Sequence, residues 1–234
     1  MINLRLILGG IYAGFSLHLW VVFLFYFRWY FFQKKTNNNF EKKTKNKQQS
    51  KGNIGEELVS KKLNSYLINE QVIGIVVNNV TLSVDGGTTQ IDHILICTKG
   101  VFVIETKHYS GLIYGDAKDK KWLQVLFKKR SQFQNPIHQN YKHIKAIQAL
   151  FDFVPVEQIK SLVVFTGNGE FKTSRPKDVI LLDGMRDWMN QHEDHIVTLN
   201  EIQFCYGRLE FSRLPDNEQT DKLHLQNLSR QHAL

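Results

Sequence analysis

Cysteine is scarce: Cys97 and Cys205 are the only two in 234 residues, too few for a disulfide framework. Cys97 falls inside an apolar run and reads as a small buried hydrophobe. No CxxC or HExxH pattern occurs, so nothing supports a zinc site. Gly167-Asn168-Gly169 follows an apolar run as a phosphate loop would, but the Lys-Ser/Thr pair of a Walker motif is missing and the signal is weak. No internal repeat is visible. Acidic residues are nearly absent from the first 51 positions, where Glu41 stands against nine basic side chains, Arg5, Arg28 and seven lysines. The rest of the chain holds as many acids as bases, so the net charge of +8 and the pI of about 9.4 describe the N-terminal segment. The folded part is not globally basic.

What that segment does have is hydrophobic length. From Leu6 to Phe27 no residue carries a formal charge, His18 apart. As a helix this stretch of about 22 residues spans roughly 33 Å, close to a bilayer core. Trp20, Tyr26, Trp29, Tyr30, Phe31 and Phe32 gather toward its C-terminal end, as an interfacial aromatic belt does. A cleavable signal peptide has a shorter apolar core, a more basic start and a small-x-small cleavage site, and the sequence offers none of these. The segment 1–32 is therefore expected to be a retained transmembrane helix. The lysines that follow put the N-terminus outside and the C-terminal side in the cytoplasm. Residues 33–51 are rich in Lys, Asn and Gln and read as a juxtamembrane linker. Its lysines either rest on anionic headgroups or are a solvated spacer.

A folded domain is expected over 52–214, with a polar tail that frays over 215–234. Helical spacing of Ile54, Leu58, Leu63 and Leu67 predicts a first helix. Val/Ile-rich residues 71–84 read as strand, broken at Asp85-Gly86-Gly87. Short strands are expected at 112–114 and 122–127. Asn135-Pro136 opens a long helix whose apolar members are Ile137, Tyr141, Ile144, Ile147 and Leu150. Strands at 162–166 and 179–182 and helices at 184–191 and 200–211 complete the series. The order predicts an α/β fold with a mixed central β-sheet flanked by helices.

The most informative stretch is a predicted hairpin, 90–97 and 101–107, joined by Thr98-Lys99-Gly100. With Lys99 and Gly100 as its turn, Asp92 pairs with Lys107. Side chains alternate along a strand, so Asp92, Glu105 and Lys107 then share a face with Ile94, Ile96 and Val103. Charges in apolar surroundings are costly unless paired or metal-bound. Mg²⁺ or Mn²⁺ takes oxygen ligands and usually only one or two carboxylates. Asp92 and Glu105 supply these, and the Thr106 carbonyl offers a third oxygen. Lys107 is placed to orient a water or offset developing negative charge. Glu56 on the first helix and Gln139 on the long helix can join them. The bland alternative is one exposed ion pair, which contributes little.

His93 and His108 read first as packing or surface histidines. Lys118, Lys120, Lys121, Lys128, Lys129 and Arg130, interleaved with Trp122 and Phe127, are either a phosphate-tracking stretch with an aromatic for stacking or the solvated rim of a hairpin.

Gly52-Asn-Ile-Gly55-Glu56 opening a helix, Gln90-Ile-Asp92-His93, Gly100-Val-Phe-Val-Ile-Glu105-Thr-Lys107 with Gly111 following, and Asn135-Pro136 with Gln139 together resemble the nuclease-related domain, NERD. The pattern is similar to that of the wider PD-(D/E)xK nucleases. The resemblance covers about 51–165 and is specific in combination. It implies a restriction-endonuclease-like fold in which Asp92 and Glu105 hold Mg²⁺, Lys107 supports phosphodiester hydrolysis, Glu56 assists and Gln139 lies near the site. One departure is that Ile91, not proline, precedes Asp92. The expectation is a membrane-anchored, cytoplasmic, Mg²⁺-dependent nuclease acting on nucleic acid, with DNA as the expected substrate. The basic residues Lys120, Lys121, Lys128, Lys129 and Arg130 would contact it. A catalytically silent module that binds nucleic acid or protein on the same fold is the alternative.

Overall fold

The computed structural model describes residues 51–193 and 196–232. The expected transmembrane helix, and the linker up to residue 50, lie outside the described residues. No helix among the described residues is long and apolar enough to cross a membrane. Gln49–Leu234 forms one compact unit.

The chain opens with α1 (Lys51–Asn69) and continues into three strands, β1 (Gly74–Val84), β2 (Gly87–Cys97) and β3 (Gly100–His108). A small antiparallel set follows: β4 (Gly111–Tyr114), β5 (Lys121–Leu126) and β6 (Lys129–Gln134). Then come α2 (Pro136–Leu150), β7 (Ile159–Thr166), β8 (Gly169–Phe171), β9 (Val179–Leu181), α3 (Met185–Met189), α4 (Leu199–Ser212) and α5 (Glu218–His232). Among these elements the strands make two sheets, ordered β1-β2-β3-β7-β9 and β6-β5-β4-β8. The first is mixed: β1, β2 and β3 are antiparallel neighbours, whereas β7 runs parallel to both β3 and β9. The fold is mixed α/β with a central mixed sheet, as expected.

Both faces of the first sheet are covered. Ile94, Ile96, Val101 and Val103 pack with Ile144 and Ile147 of α2 and Ile202, Cys205 and Leu209 of α4. Leu95, Phe102 and Ile104 pack with Val59 and Leu63 of α1 and Trp188 of α3. This two-sided cover explains why β2 and β3 read as near-continuous apolar runs rather than alternating ones. A third cluster, centred on Trp122 and Phe165, joins the two sheets.

The hairpin register differs from the expected one. Cys97 pairs with Gly100 and His93 with Ile104, so Thr98 and Lys99 are the turn and Gly100 opens β3. The shift is two residues, which preserves the parity of facing side chains. The ladder stops at His93–Ile104, and beyond it Asp92 does not pair with Lys107.

Other differences have local causes. The buried stripe of α1 is Gly55, Val59, Leu63 and Tyr66, while Ile54 and Leu58 face solvent. The stripe is rotated because a glycine, not an apolar side chain, leads it. On α2, Tyr141 is 59% exposed and the buried face instead carries Asn140 and His143. Lys129 and Arg130, which follow the strand expected at 122–127, open the unforeseen β6, with Lys128 in the turn before it; β8 was likewise not foreseen. The segment expected to fray forms α5 beyond residue 217. Asn217 caps it by accepting from the Gln219 and Thr220 amides, and Asn227 Nδ2 donates to Thr88 Oγ1 on β2.

Candidate active site

Two features of the backbone create the site. The first is the parting of β2 from β3. The Thr106 amide lies past the end of the ladder and donates to Asp92 Oδ2 at 2.7 Å. The carboxylate of Asp92 thus takes the place of a strand partner. The second is Gly55. A Cβ there would stand 2.7 Å from Thr166 Oγ1 and 2.8 Å from His108 Cβ. Only glycine lets the α1 backbone press against the C-terminal ends of β3 and β7, and this brings Glu56 to the carboxylates.

Glu105 is 1% exposed and both its oxygens are held. Lys107 Nζ donates to Oε1 at 2.5 Å, and His143 Nε2 donates to Oε2 at 3.2 Å. Lys107 Nζ also donates to Gln139 Oε1 at 3.0 Å. A carboxylate only accepts, so His143 carries its proton on Nε2. In the neutral ring Nδ1 then accepts from the Thr89 hydroxyl at 2.7 Å. The result is a relay from Thr89 through His143 to Glu105, closed by Lys107 and Gln139.

The electrostatics divide the carboxylates. Burial and repulsion from Glu105 and Glu56 push Asp92 well above the usual range, and the Thr106 amide and Lys107 only partly offset them. Burial and Glu105 also raise Glu56, with Lys107 opposing. Burial raises Glu105 too, but Lys107 and His143 outweigh it and hold the group below its ordinary value. Lys107 is pulled down by burial and raised further by Glu105, so its net shift is upward. Three carboxyl groups, Glu56, Asp92 and Glu105, thus face one lysine. Carboxylates pushed apart in this way mark functional sites.

Helix α2 is aimed by its start. Asn135 is fully buried; its Oδ1 accepts from the Ile137 amide and its Nδ2 donates to the carbonyls of Asp116, Ala117 and Asp119. Asn140 Nδ2 donates to the Val103 and Leu162 carbonyls and to Ser161 Oγ, tying α2 to β3 and β7. Gln139 and His143, one turn apart, therefore face the site.

The structure brings together Glu56, Asp92, Glu105, Lys107 and Gln139. Thr106 is present through the hydrogen bond that its backbone N–H donates to Asp92. His143 and Thr89 were missed; the four-residue spacing of His143 from Gln139 was the available signal. His93 is buried, bonded through Nδ1 to Asn78 Oδ1 at 2.7 Å, and lowered by burial to about 4. His108 Nδ1 meets Thr166 Oγ1 at 2.9 Å. Both pack, as expected. Trp122 is no stacking platform: it is 1% exposed, lies against Phe165 with ring centroids 6.0 Å apart, and donates its indole N–H to the Asp116 carbonyl. The basic residues are exposed but divided between the ends of the β5–β6 hairpin. Lys120 and Lys121 lie at the Asn135 end, where Lys121 pairs with Gln134; Lys128, Lys129 and Arg130 lie at the turn.

A helix-borne glutamate, an aspartate where two strands part, and Glu-x-Lys on the next strand follow one another in chain order. Residues 51–166 match the family model described as the nuclease-related domain. The chain belongs to the nuclease-related domain family. The NERD match runs from the first residue of α1 to the last of β7, so every element of the site lies within it. An uncharacterized protein of Bacillus anthracis is similar to this NERD chain, 37% identical over 190 residues, covering 78% of this chain and 86% of that one. No solved structure matches the chain.

Proposed function

We propose that this NERD protein hydrolyses phosphodiester bonds of nucleic acid, DNA first among them, with the help of Mg²⁺ or Mn²⁺. The observation that carries the reading is the cluster of three carboxyl groups around Lys107, in which burial, Glu105 and Glu56 together raise Asp92. Among the described residues no group of three or more His, Cys, Asp or Glu side chains forms a ready cage for a metal. The donor set still suits a hard cation, which needs only one or two carboxylates and keeps water elsewhere. Asp92 and Glu105 would hold it, with the Thr106 carbonyl as a further oxygen. Bound there, it would supply Lewis-acid charge to a phosphoryl oxygen and to the attacking water.

The protein groups have separate tasks. Lys107, charged and fixed by Glu105 and Gln139, sits where negative charge develops during phosphoryl transfer. Gln139 holds the ammonium in place. His143, anchored by Thr89, fixes the carboxylate of Glu105. Glu56, raised by burial and by Glu105 above its ordinary value, is suited to exchange a proton with water. We also propose that residues 6–27 anchor the chain as a single span, with the NERD domain on the cytoplasmic side. Carbonate-resistant membrane association of the full chain, lost when 1–32 are removed, checks this.

A silent binding module is the second reading, favoured by one observation: both oxygens of Glu105 are already taken by Lys107 and His143. The test is cleavage of DNA and RNA by purified protein with Mg²⁺ or Mn²⁺. The nuclease reading predicts cutting that Asp92→Ala and Lys107→Ala abolish. No cutting, or equal cutting by both variants, overturns it.

A further inference from the structure

The tip of the β5–β6 hairpin is built against its own stability. Leu126 pairs with Lys129, leaving Phe127 and Lys128 as a two-residue turn. Phe127 occupies the first turn position with φ +53°, a conformation that glycine adopts freely and a bulky aromatic side chain does not. Its ring is 94% exposed, so no burial repays either the strain or the loss of water-excluded surface. Lys128, Lys129 and Arg130 surround it, all exposed.

The tip also packs against the segment that leaves β3 after Lys107. Leu112 pairs with Val125, and Gln124 Nε2 donates to the Ser110 carbonyl at 2.7 Å. A Cβ on Gly111 would stand 2.4 Å from the Val125 carbonyl oxygen and 3.2 Å from Leu126 Cα. Leu126, which leads into the turn, is therefore beside Gly111, and Gly111 is four residues, at most about 14 Å of extended chain, after Lys107. The other end of the hairpin runs through Gln134 directly into Asn135 and α2, the helix that carries Gln139.

We propose that Phe127 is a base-stacking residue, and that Lys128, Lys129 and Arg130 grip the flanking phosphates of an unpaired strand beside the carboxylate site. This rests on the nucleic-acid reading above and deepens it, by assigning a preference for single-stranded or unpaired substrate. An aromatic ring with neighbouring cations is how sequence-tolerant single-strand binding is made. A paired base inside a duplex does not offer its face to such a ring.

The experiment uses the full chain in detergent, with EDTA to prevent cutting. Fluorescence anisotropy is read on a labelled single-stranded oligodeoxynucleotide, an oligoribonucleotide of the same sequence, and the DNA duplex. The DNA and RNA strands tell the two sources of an unpaired base apart. Phe127→Gly should weaken single-strand binding roughly tenfold, the loss of one base–aromatic stack. Its thermal stability should equal or exceed wild type, and Phe127→Trp should restore binding. Weakening of duplex binding should be smaller. Two results overturn the proposal: Phe127→Gly binding single strands like wild type, or an equal loss on the duplex. The nucleic-acid reading survives both as long as wild type binds the oligonucleotides. If wild type binds none of them, both fall.

Discussion

Asp92 is the residue at which folding and function pull in opposite directions. It is pushed toward neutrality by burial and by two other carboxylates, yet its oxygen replaces a strand partner for the Thr106 amide. Asn keeps that acceptor and deletes the charge. Asp92→Asn should therefore raise the stability of the metal-free protein, while the shift in melting temperature that Mn²⁺ produces in wild type should vanish. Differential scanning fluorimetry with and without Mn²⁺ reads both. His143→Ala works the other way. It strips a partner from a buried Glu105 oxygen and from Thr89, and leaving such groups unpaired costs on the order of 1–3 kcal/mol each. Urea unfolding should show a loss of at least about 2 kcal/mol; an unchanged midpoint would mean that water replaces the ring. Glu105 and Lys107 were legible in the sequence because two charges two residues apart stood out in an apolar strand. His143 was not, because a histidine on a helix looks the same whether it faces solvent or a carboxylate. Only the helix's rotation, which Tyr141 misreported, distinguishes the two.

At the level of elements, the first helix shows why an apolar count misleads. Ile54 and Leu58 were expected to be buried, but the helix is pressed onto β3 and β7 along the line of Gly55, where an ordinary side chain does not fit. Gly55→Ala should cost about 1–3 kcal/mol by overpacking and should weaken Mn²⁺ binding as Glu56 is displaced, without altering any charged group. Chemical denaturation and a Mn²⁺ titration check this; a variant with wild-type values for both would mean that α1 shifts freely. The hairpin was legible in parity but not in register. A two-residue slip left the right side chains together, yet the turn residues differ, and with them the gap that Asp92 fills. Nothing in the local pattern of 129–134 announced β6, because its partner β5 and the Trp122 ring that it covers are what hold it.

Across the whole molecule, the central sheet and its helical layers could be read from the alternation of elements, because burial on both faces demands long apolar strands. The C-terminal helix could not, since polar residues 218–232 make their case through docking. That docking includes a histidine. His224 Nδ1 meets Thr88 Oγ1 at 2.9 Å, and burial, with His143 adding repulsion, lowers its pKa from the ordinary 6.5. A histidine lowered in the folded state binds more protons when unfolded, so its contribution is full above the ordinary value and is lost as pH falls through and below it. Melting temperature should therefore fall between pH 7 and pH 5.5 more steeply in wild type than in His224→Gln; parallel curves would assign the acid sensitivity elsewhere. The charge layout is also a property of the whole. The basic excess lies in the first 51 residues and the rest is balanced, so the proposed binding of nucleic acid by the folded part requires a local surface rather than a general field.

Whether Asp92 and Glu105 form a divalent-cation site is tested most directly by titration of Mn²⁺ into the purified protein, followed by electron paramagnetic resonance of the free ion. One saturable site is expected in wild type, abolished by Asp92→Ala. An absence of binding, or binding that survives Asp92→Ala unchanged, would contradict it.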